Sequence, residues 1–100
     1  MKIAVMGYGT IGSGVVEVLR INKEKIAKRA GEPVEVKYIL DLREFPGDPM
    51  EDAIVHDYQT IAKDPDIGIV VETMGGVEPA YTFVKAMLEA GKQVTTSNKN

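Results

Sequence analysis

The residues Gly7-Tyr8-Gly9-Thr10-Ile11-Gly12 limit what this chain can fold into more than any other feature. They match the spacing G-x-G-x-x-G, and they stand where a short apolar run, Lys2 to Met6, gives way to a helical pattern that starts at Ile11. In a chain with ten glycines such a string arises by chance about one time in ten, so its weight comes from its position. At a strand-to-helix junction Gly7 serves the tight turn, Gly9 lets a pyrophosphate reach bare backbone, and Gly12 lets the helix pack closely on the strand. The whole turn, with Tyr8, Thr10 and Ile11 between the glycines, is the candidate pyrophosphate site. Gly14 is a further small residue just beyond the motif. The competing reading is a tight turn that uses glycine only for its backbone freedom. A Walker-type phosphate loop is excluded, because no Gly-Lys-Ser/Thr follows.

The rest of the chain repeats the alternation of strand and helix. From Ile11, apolar residues recur at helical spacing through Val15, Val18, Leu19 and Ile26, predicting one long helix that stops at Gly31 and Pro33. Val34 to Leu40 reads as a second strand, closed by Asp41 and the turn-rich Phe45-Pro46-Gly47-Asp48-Pro49. A brief strand is expected around Ala53 to Val55, then a short helix over Asp57 to Lys63 capped by Asp57. Ile67 to Val71 has the unbroken apolar character of a strand buried on both faces. Pro79 suits a first helical position, Ala80, Phe83, Val84, Met87 and Leu88 continue that helix to Gly91, and Gln93 to Thr96 is the last strand. This order predicts a single α/β domain over residues 1–100, a Rossmann-like doubly wound parallel sheet with right-handed crossovers.

In an open parallel sheet, ligands bind beyond the carboxyl ends of the strands. Those ends carry the glycine turn, Asp41 to Arg43, Thr73-Met74-Gly75-Gly76, and Ser97-Asn98-Lys99. Asp41, at the end of the second strand, is placed to accept hydrogen bonds from an adenosine ribose and to repel a 2′-phosphate, although it stands further from Gly12 than the usual spacing of about 20 residues. Arg43 pulls the other way, since a guanidinium pairs with that phosphate, so NAD and NADP both stay open. The bland alternative for both residues is a solvent-facing turn. Thr73, Met74, Gly75 and Gly76 would flank the nicotinamide half, and Ser97 would add a donor there. Lys99 is the candidate catalytic group, because a lysine at that edge polarises a carbonyl or passes it a proton; taken alone it is a surface lysine near a chain end. Glu72 is either a hydrogen-bonded structural carboxylate or an edge of the site, His56 reads as structural or solvated, and Met6, Met74 and Met87 fit packing roles.

Composition narrows the class. The 100 residues are 44% hydrophobic and 27% charged, with a formal charge of −3, no cysteine and one histidine. That is globular, and it excludes disulfide frameworks, thiolate or multi-histidine metal sites and cysteine nucleophiles. No metal is expected. Arg20 to Arg29 is a basic stretch best explained as a solvated helix face, and the overall acidity argues against nucleic acid. No apolar run approaches the roughly 18 residues of a membrane span and no signal peptide is visible, which points to a cytoplasmic protein without a membrane partner.

Three blocks together resemble the homoserine dehydrogenases: Gly7 to Gly14, Val70-Val71-Glu72-Thr73-Met74-Gly75-Gly76 followed by Glu78-Pro79-Ala80, and Gly91 to Lys99. The first is generic to dinucleotide folds; the second and third are more specific. The resemblance implies NAD- or NADP-dependent interconversion of L-aspartate 4-semialdehyde and L-homoserine, on the route to threonine, methionine and isoleucine. It also implies a homodimer for the full-length protein and a proton-transfer role for Lys99. Members of that family continue into a substrate-binding and dimerising region, so the chain is expected to be the cofactor half of a longer enzyme and inactive alone. Many members carry an arginine just before the strand-two acid, where this sequence has Leu40. Two other readings stand beside it: a stand-alone domain sensing NAD or an adenine nucleotide, and the first domain of another amino-acid dehydrogenase such as aspartate dehydrogenase.

Overall fold

Five short strands, all parallel, form one sheet in the order β3-β2-β1-β4-β5. In this computed structural model the described residues are 1–74 and 80–96. The strands are β1 (Lys2–Met6), β2 (Glu35–Leu40), β3 (Ile54–Val55), β4 (Ile67–Glu72) and β5 (Gln93–Thr96), and the helices are α1 (Thr10–Ile21), α2 (Lys23–Ala30), α3 (Tyr58–Ala62) and α4 (Ala80–Glu89). A single 3₁₀ turn, Glu51–Ala53, leads into β3. The expected alternation and strand positions are therefore present.

The pleat of the strands divides the core between the two faces of the sheet. Val5 and Ile39 pack with Val16 of α1 on one face; Ala4, Met6, Leu40 and Val70 pack with Ile61 of α3 and Met87 of α4 on the other. Helices on both faces leave β1, the middle strand, buried from Ile3 to Met6, while β4 beside it is buried at Ile67, Val70 and Glu72 and half-buried at Ile69 and Val71, which is why both sequences are largely apolar. Because α1 leads from β1 to β2 on one side and α4 from β4 to β5 on the other, the chain reverses its winding between β1 and β4. A crevice opens at the carboxyl ends of that pair of strands.

The structure corrects the single long helix. Asn22 has φ −100° and ψ 25°, and its side-chain amide donates to the Val18 carbonyl at 3.2 Å, so it ends α1 and starts α2. Asparagine competes for backbone partners in this way wherever a helix can be interrupted. Beyond the break α2 buries no residue, and Lys23, Lys25, Lys28 and Arg29 are exposed, consistent with a solvated basic face. Gly31 then closes α2 in the left-handed conformation, φ 80°. Asp57 caps α3 as expected, its carboxylate accepting from the Gln59 amide at 2.9 Å.

A second departure lies in β2. Ile3 pairs with Val36 and Ala4 with Tyr38, so Lys37 is an extra residue that moves Val36 to the α1 face while Tyr38 stays on the α3/α4 face. The bulge aims Lys37 at Asp64, whose carboxylate also accepts from the Tyr38 hydroxyl at 2.6 Å. The Lys37 ammonium first, and the Tyr38 hydroxyl second, hold Asp64 well below the ordinary carboxylate range.

Lys92 is buried at the amino end of the sheet, where its ammonium donates to the carbonyls of Asp64 and Ile67, both at 2.8 Å. It thereby ties the start of β5 to the turn before β4, far from the strand ends that concern function. Lys92→Met removes the donor and leaves two carbonyls short of a partner, so a loss of about 1–3 kcal/mol in urea unfolding is expected. An unchanged midpoint would mean that water replaces the ammonium without penalty.

Candidate dinucleotide site

The glycine turn is built by contacts that exclude side chains at two of its three glycines. Gly7 has φ 103°, a conformation suited to glycine, and its amide donates to the Leu40 carbonyl at 2.7 Å, carrying the β1–β2 ladder one step past the strand. Gly12 is buried against that same residue: a Cβ on Gly12 would collide with the Gly7 carbonyl oxygen and lie 2.7 Å from its carbon and 2.9 Å from Thr73 Oγ1. Gly9 is the opposite case, since a Cβ there would meet only Arg43 Nη2, at 3.9 Å. So Gly7 and Gly12 are demanded by the protein's own packing, whereas Gly9 presents open backbone.

Gly9 also stands at the N-cap of α1, which has no side-chain cap and no acidic residue in its first turn. The positive end of the helix dipole and the uncapped amides of Thr10 and Ile11 therefore face the space above Gly9, an arrangement that attracts an anion. Ile11 is exposed in that first turn. This is the fit expected of a pyrophosphate-binding turn, and it rests on space and uncompensated amides.

Asp41 is fastened directly to the turn. Its Oδ2 accepts from the Tyr8 amide at 2.9 Å, and its Oδ1 accepts from the Arg43 amide at 2.9 Å. The Arg43 guanidinium closes on the same carboxylate through Nε at 3.0 Å and Nη2 at 2.9 Å, leaving the Asp41 side chain 9% exposed and the Arg43 side chain 64% exposed. The residues that pull toward opposite cofactors in the sequence are thus paired with each other. Arg43 lies 5.2 Å from the Phe45 ring centre, and Phe45 stands edge-on to Tyr8 at 5.0 Å. Tyr8 in turn donates to Asp48 Oδ1 at 2.8 Å, and burial, followed by that carboxylate, pushes its hydroxyl up to about 12. Asp48 also accepts from the Met50 amide at 2.8 Å within its own turn, and Tyr8 ties the glycine turn to the turn after β2 at two points, its amide on Asp41 and its hydroxyl on Asp48. A hollow of about 390 Å³ lined by Tyr8, Thr10, Ser13 and Asp48 opens beside this junction.

Arg43 is the main reason the Asp41 carboxyl is held down to about 2; burial opposes it, and the Arg43 and Tyr8 amides add to it. A carboxyl with a folded pKa below its unfolded value of about 3.9 contributes stability that is complete above that value and vanishes as pH falls through the folded pKa. Thermal melts are expected to show stability falling between about pH 4 and pH 2, with a shallower fall in Asp41→Asn, where only groups such as Asp64 still contribute. Equal slopes would show that the Asp41–Arg43 pair does not persist in solution.

At the end of β4, Thr73 turns back into the protein. Its hydroxyl donates to the Met6 carbonyl at 2.8 Å, with the Gly7 carbonyl at 3.1 Å as a second acceptor, and its amide also donates to Met6. Thr73 therefore closes the floor of the crevice between β1 and β4. Met74 packs against the α3/α4 core and beside Gly7. Glu72 is buried and accepts from the Met74 amide at 2.6 Å and the Thr96 hydroxyl at 2.7 Å, holding the ends of β4 and β5 together. His56 bridges the Asp41 carbonyl, 2.7 Å from Nδ1, and Glu44, 3.2 Å from Nε2, which is a structural position at the end of β3. Gly75, Gly76, Glu78, Pro79, Ser97, Asn98 and Lys99 lie outside the described residues. Among the described residues no group of three or more His, Cys, Asp or Glu could hold a metal, and no helix is long and apolar enough to cross a membrane.

Asp48 was not singled out from the sequence. It sits in a turn where aspartate is common, and only the fold shows that Tyr8 reaches it.

A parallel sheet with helices on both faces, a glycine turn entering α1 and an acid at the end of β2 together define a dinucleotide-binding α/β domain. The family model described as the NAD-binding domain of homoserine dehydrogenase matches residues 7–100, and the chain belongs to that family. A homoserine dehydrogenase of Pseudomonas aeruginosa is 40% identical over 100 residues, covering 99% of this chain and 23% of the relative. One from Lactococcus lactis is 36% identical and covers all of this chain and 24% of the relative. Among solved structures, S. aureus homoserine dehydrogenase superposes with a TM-score of 0.87 at 32% identity, over all of this chain and 26% of that one. The enzyme from Thiobacillus denitrificans gives 0.84 at 34% identity, over 98% of this chain and 23% of that one. The chain thus spans about a quarter of the length of the relatives it matches. Its ligand class is a nicotinamide dinucleotide.

Proposed function

We propose that this chain is the cofactor-binding part of a homoserine dehydrogenase, a cytoplasmic and homodimeric enzyme that interconverts L-aspartate 4-semialdehyde and L-homoserine using NAD or NADP. The observation that carries the proposal is the open face of Gly9 at the uncapped start of α1, within a chain whose family match runs from residue 7 to residue 100.

In this reading the Gly7 to Gly12 turn holds the pyrophosphate through backbone amides, Asp41 faces the adenosine ribose, and the crevice floored by Thr73 and Met74 takes the nicotinamide side. Gly75, Gly76 and Ser97 are assigned in this reading to the nicotinamide half of the cofactor, and Lys99 to the substrate carbonyl, where its ammonium would polarise the oxygen and deliver a proton as the carbonyl is reduced. The bound nicotinamide supplies the hydride. A site that needs residues from a further substrate-binding region lacks the positioning that makes hydride transfer fast, so the 100 residues alone are expected to bind cofactor without turning over homoserine.

Calorimetric titration of the chain with NAD and NADP, beside a homoserine-dependent reduction assay, tests this directly. Binding of at least one dinucleotide with no turnover is the expected result. Absence of binding by either would overturn the cofactor assignment, and turnover by the chain alone would overturn its place as part of a larger active site. The sensor-domain and aspartate dehydrogenase readings have no observation in their favour beyond the shared fold.

A further inference from the structure

In a ribose-reading site the carboxylate at the end of the second strand needs free lone pairs for the ribose hydroxyls. Asp41 has none to spare. Its two oxygens accept four hydrogen bonds, two from the backbone amides of Tyr8 and Arg43 and two from the Arg43 side chain. The two kinds of partner differ in what they do. The amides belong to the glycine turn and the β2 turn and hold the carboxylate in place, whereas the guanidinium is on an exposed side chain that can leave.

The guanidinium also lies across the approach to the turn, since Arg43 Nη2 is the atom nearest the open face of Gly9. It rests near the Phe45 ring, a contact that a short swing off Asp41 need not break. Around it the fixed charge is acidic. Glu44, which faces His56, and Asp48, which faces Tyr8, flank the same turn, so Arg43 is outnumbered by Asp41, Glu44 and Asp48.

We propose that the Arg43 side chain is a displaceable cover on Asp41, so that Arg43 competes with the adenosine ribose for that carboxylate and the site takes NAD in preference to NADP. A ribose diol replaces the two guanidinium bonds with two hydroxyl bonds while the amides of Tyr8 and Arg43 keep the carboxylate aimed. A 2′-phosphate can be reached by Arg43 only if Arg43 abandons an anchored carboxylate, and the phosphate then sits against that carboxylate with Glu44 and Asp48 nearby. The inference rests on the cofactor reading above and adds to it which residue selects the cofactor and which one obstructs it.

The two assignments of Arg43 predict opposite signs. If it is a cover, Arg43→Ala frees Asp41 and tightens NAD about three- to tenfold, the range expected for releasing one partly exposed ion pair with charge-assisted hydrogen bonds. If it is a phosphate ligand, Arg43→Ala leaves NAD unchanged or weaker and abolishes NADP binding. Calorimetry at one fixed ionic strength on the unaltered chain, Arg43→Ala and Asp41→Asn distinguishes them, with a melting curve for each variant. Expected are tighter binding of NAD than of NADP to the unaltered chain, a further gain for NAD in Arg43→Ala, and loss of the NAD preference in Asp41→Asn. Tighter binding of NADP to the unaltered chain, or unchanged or weaker NAD binding in Arg43→Ala, overturns the proposal while leaving the cofactor reading intact. No binding of either dinucleotide by any of the three overturns both.

Discussion

A single methyl group on Gly12 is expected to disable this domain. The added Cβ would run into the Gly7 carbonyl, with the Gly7 carbon at 2.7 Å and Thr73 Oγ1 at 2.9 Å, and two of those three atoms are backbone. Overpacking a tight contact costs about 1–3 kcal/mol and more where the neighbours cannot move. Here Gly7 is pinned by its bond to the Leu40 carbonyl and Thr73 by its bonds to Met6, so the upper end applies. A loss of about 3 kcal/mol is a large part of a domain's 5–15 kcal/mol and lowers the melting temperature by roughly 10–25 °C. The control is two residues away. Gly14 lies in the same helix with nothing within 4 Å of its Cβ position, so Gly14→Ala is expected to raise stability by about 0.5–1 kcal/mol through helix propensity. Melting both variants by circular dichroism checks the pair; equal melting temperatures would show that α1 does not rest on the Gly7 carbonyl.

Gly9→Ala is expected to separate folding from binding. Its Cβ would enter open space, with Arg43 Nη2 the nearest atom at 3.9 Å, so the only folding penalty is that of alanine at an N-cap, about 1 kcal/mol or less. The same methyl group fills the volume through which a pyrophosphate must pass to reach the amides of α1. Each charge-assisted hydrogen bond lost is worth about 1.5–3 kcal/mol, so the affinity for a dinucleotide should fall by about one to two orders of magnitude. The measurement is a calorimetric titration of a variant whose melting curve stays close to that of the unaltered chain. Undiminished affinity would move the phosphate away from Gly9.

Taken together, the two variants separate the meanings of one motif. Gly12 is required by the molecule's own packing, while Gly9 is required only once something is bound. The string G-x-G-x-x-G does not distinguish them, because both positions read simply as glycine.

Much of the architecture was legible because it rests on local patterns. Apolar runs at Lys2 to Met6 and Ile67 to Val71 announced two strands of the sheet, and the glycines at Gly7, Gly31 and Gly91, all at positive φ, fell at element ends. Asp57 capped its helix as its position suggested. What escaped was non-local or a contest between local options. Asn22 carries no mark that separates a tolerated helical asparagine from one whose side chain takes the Val18 carbonyl. Lys37 reads as the polar partner in an alternating strand, and its bulge is paid out in contacts with Asp64, a residue from another element. Lys92 stands in the sequence simply after Gly91, and only the fold buries it and brings its ammonium to two carbonyls at the β4 entrance.

By itself the sequence determined that the chain alternates strand and helix, that its first turn has bare backbone where a phosphate is expected, and that an acid follows the second strand. These are consequences of period, backbone freedom and residue type, which act over a few neighbouring positions. Only the tertiary structure decided how those parts meet: that Thr73 closes the β1–β4 crevice from below, that Tyr8 and Asp48 tie the two turns together, and that Arg43 lies on Asp41. The physical reason is that a carboxylate's meaning depends on which donors fill its lone pairs. Here two of them, the Tyr8 amide and the Thr96 hydroxyl, reach Asp41 and Glu72 from other strands' ends, and only the folded sheet brings them there.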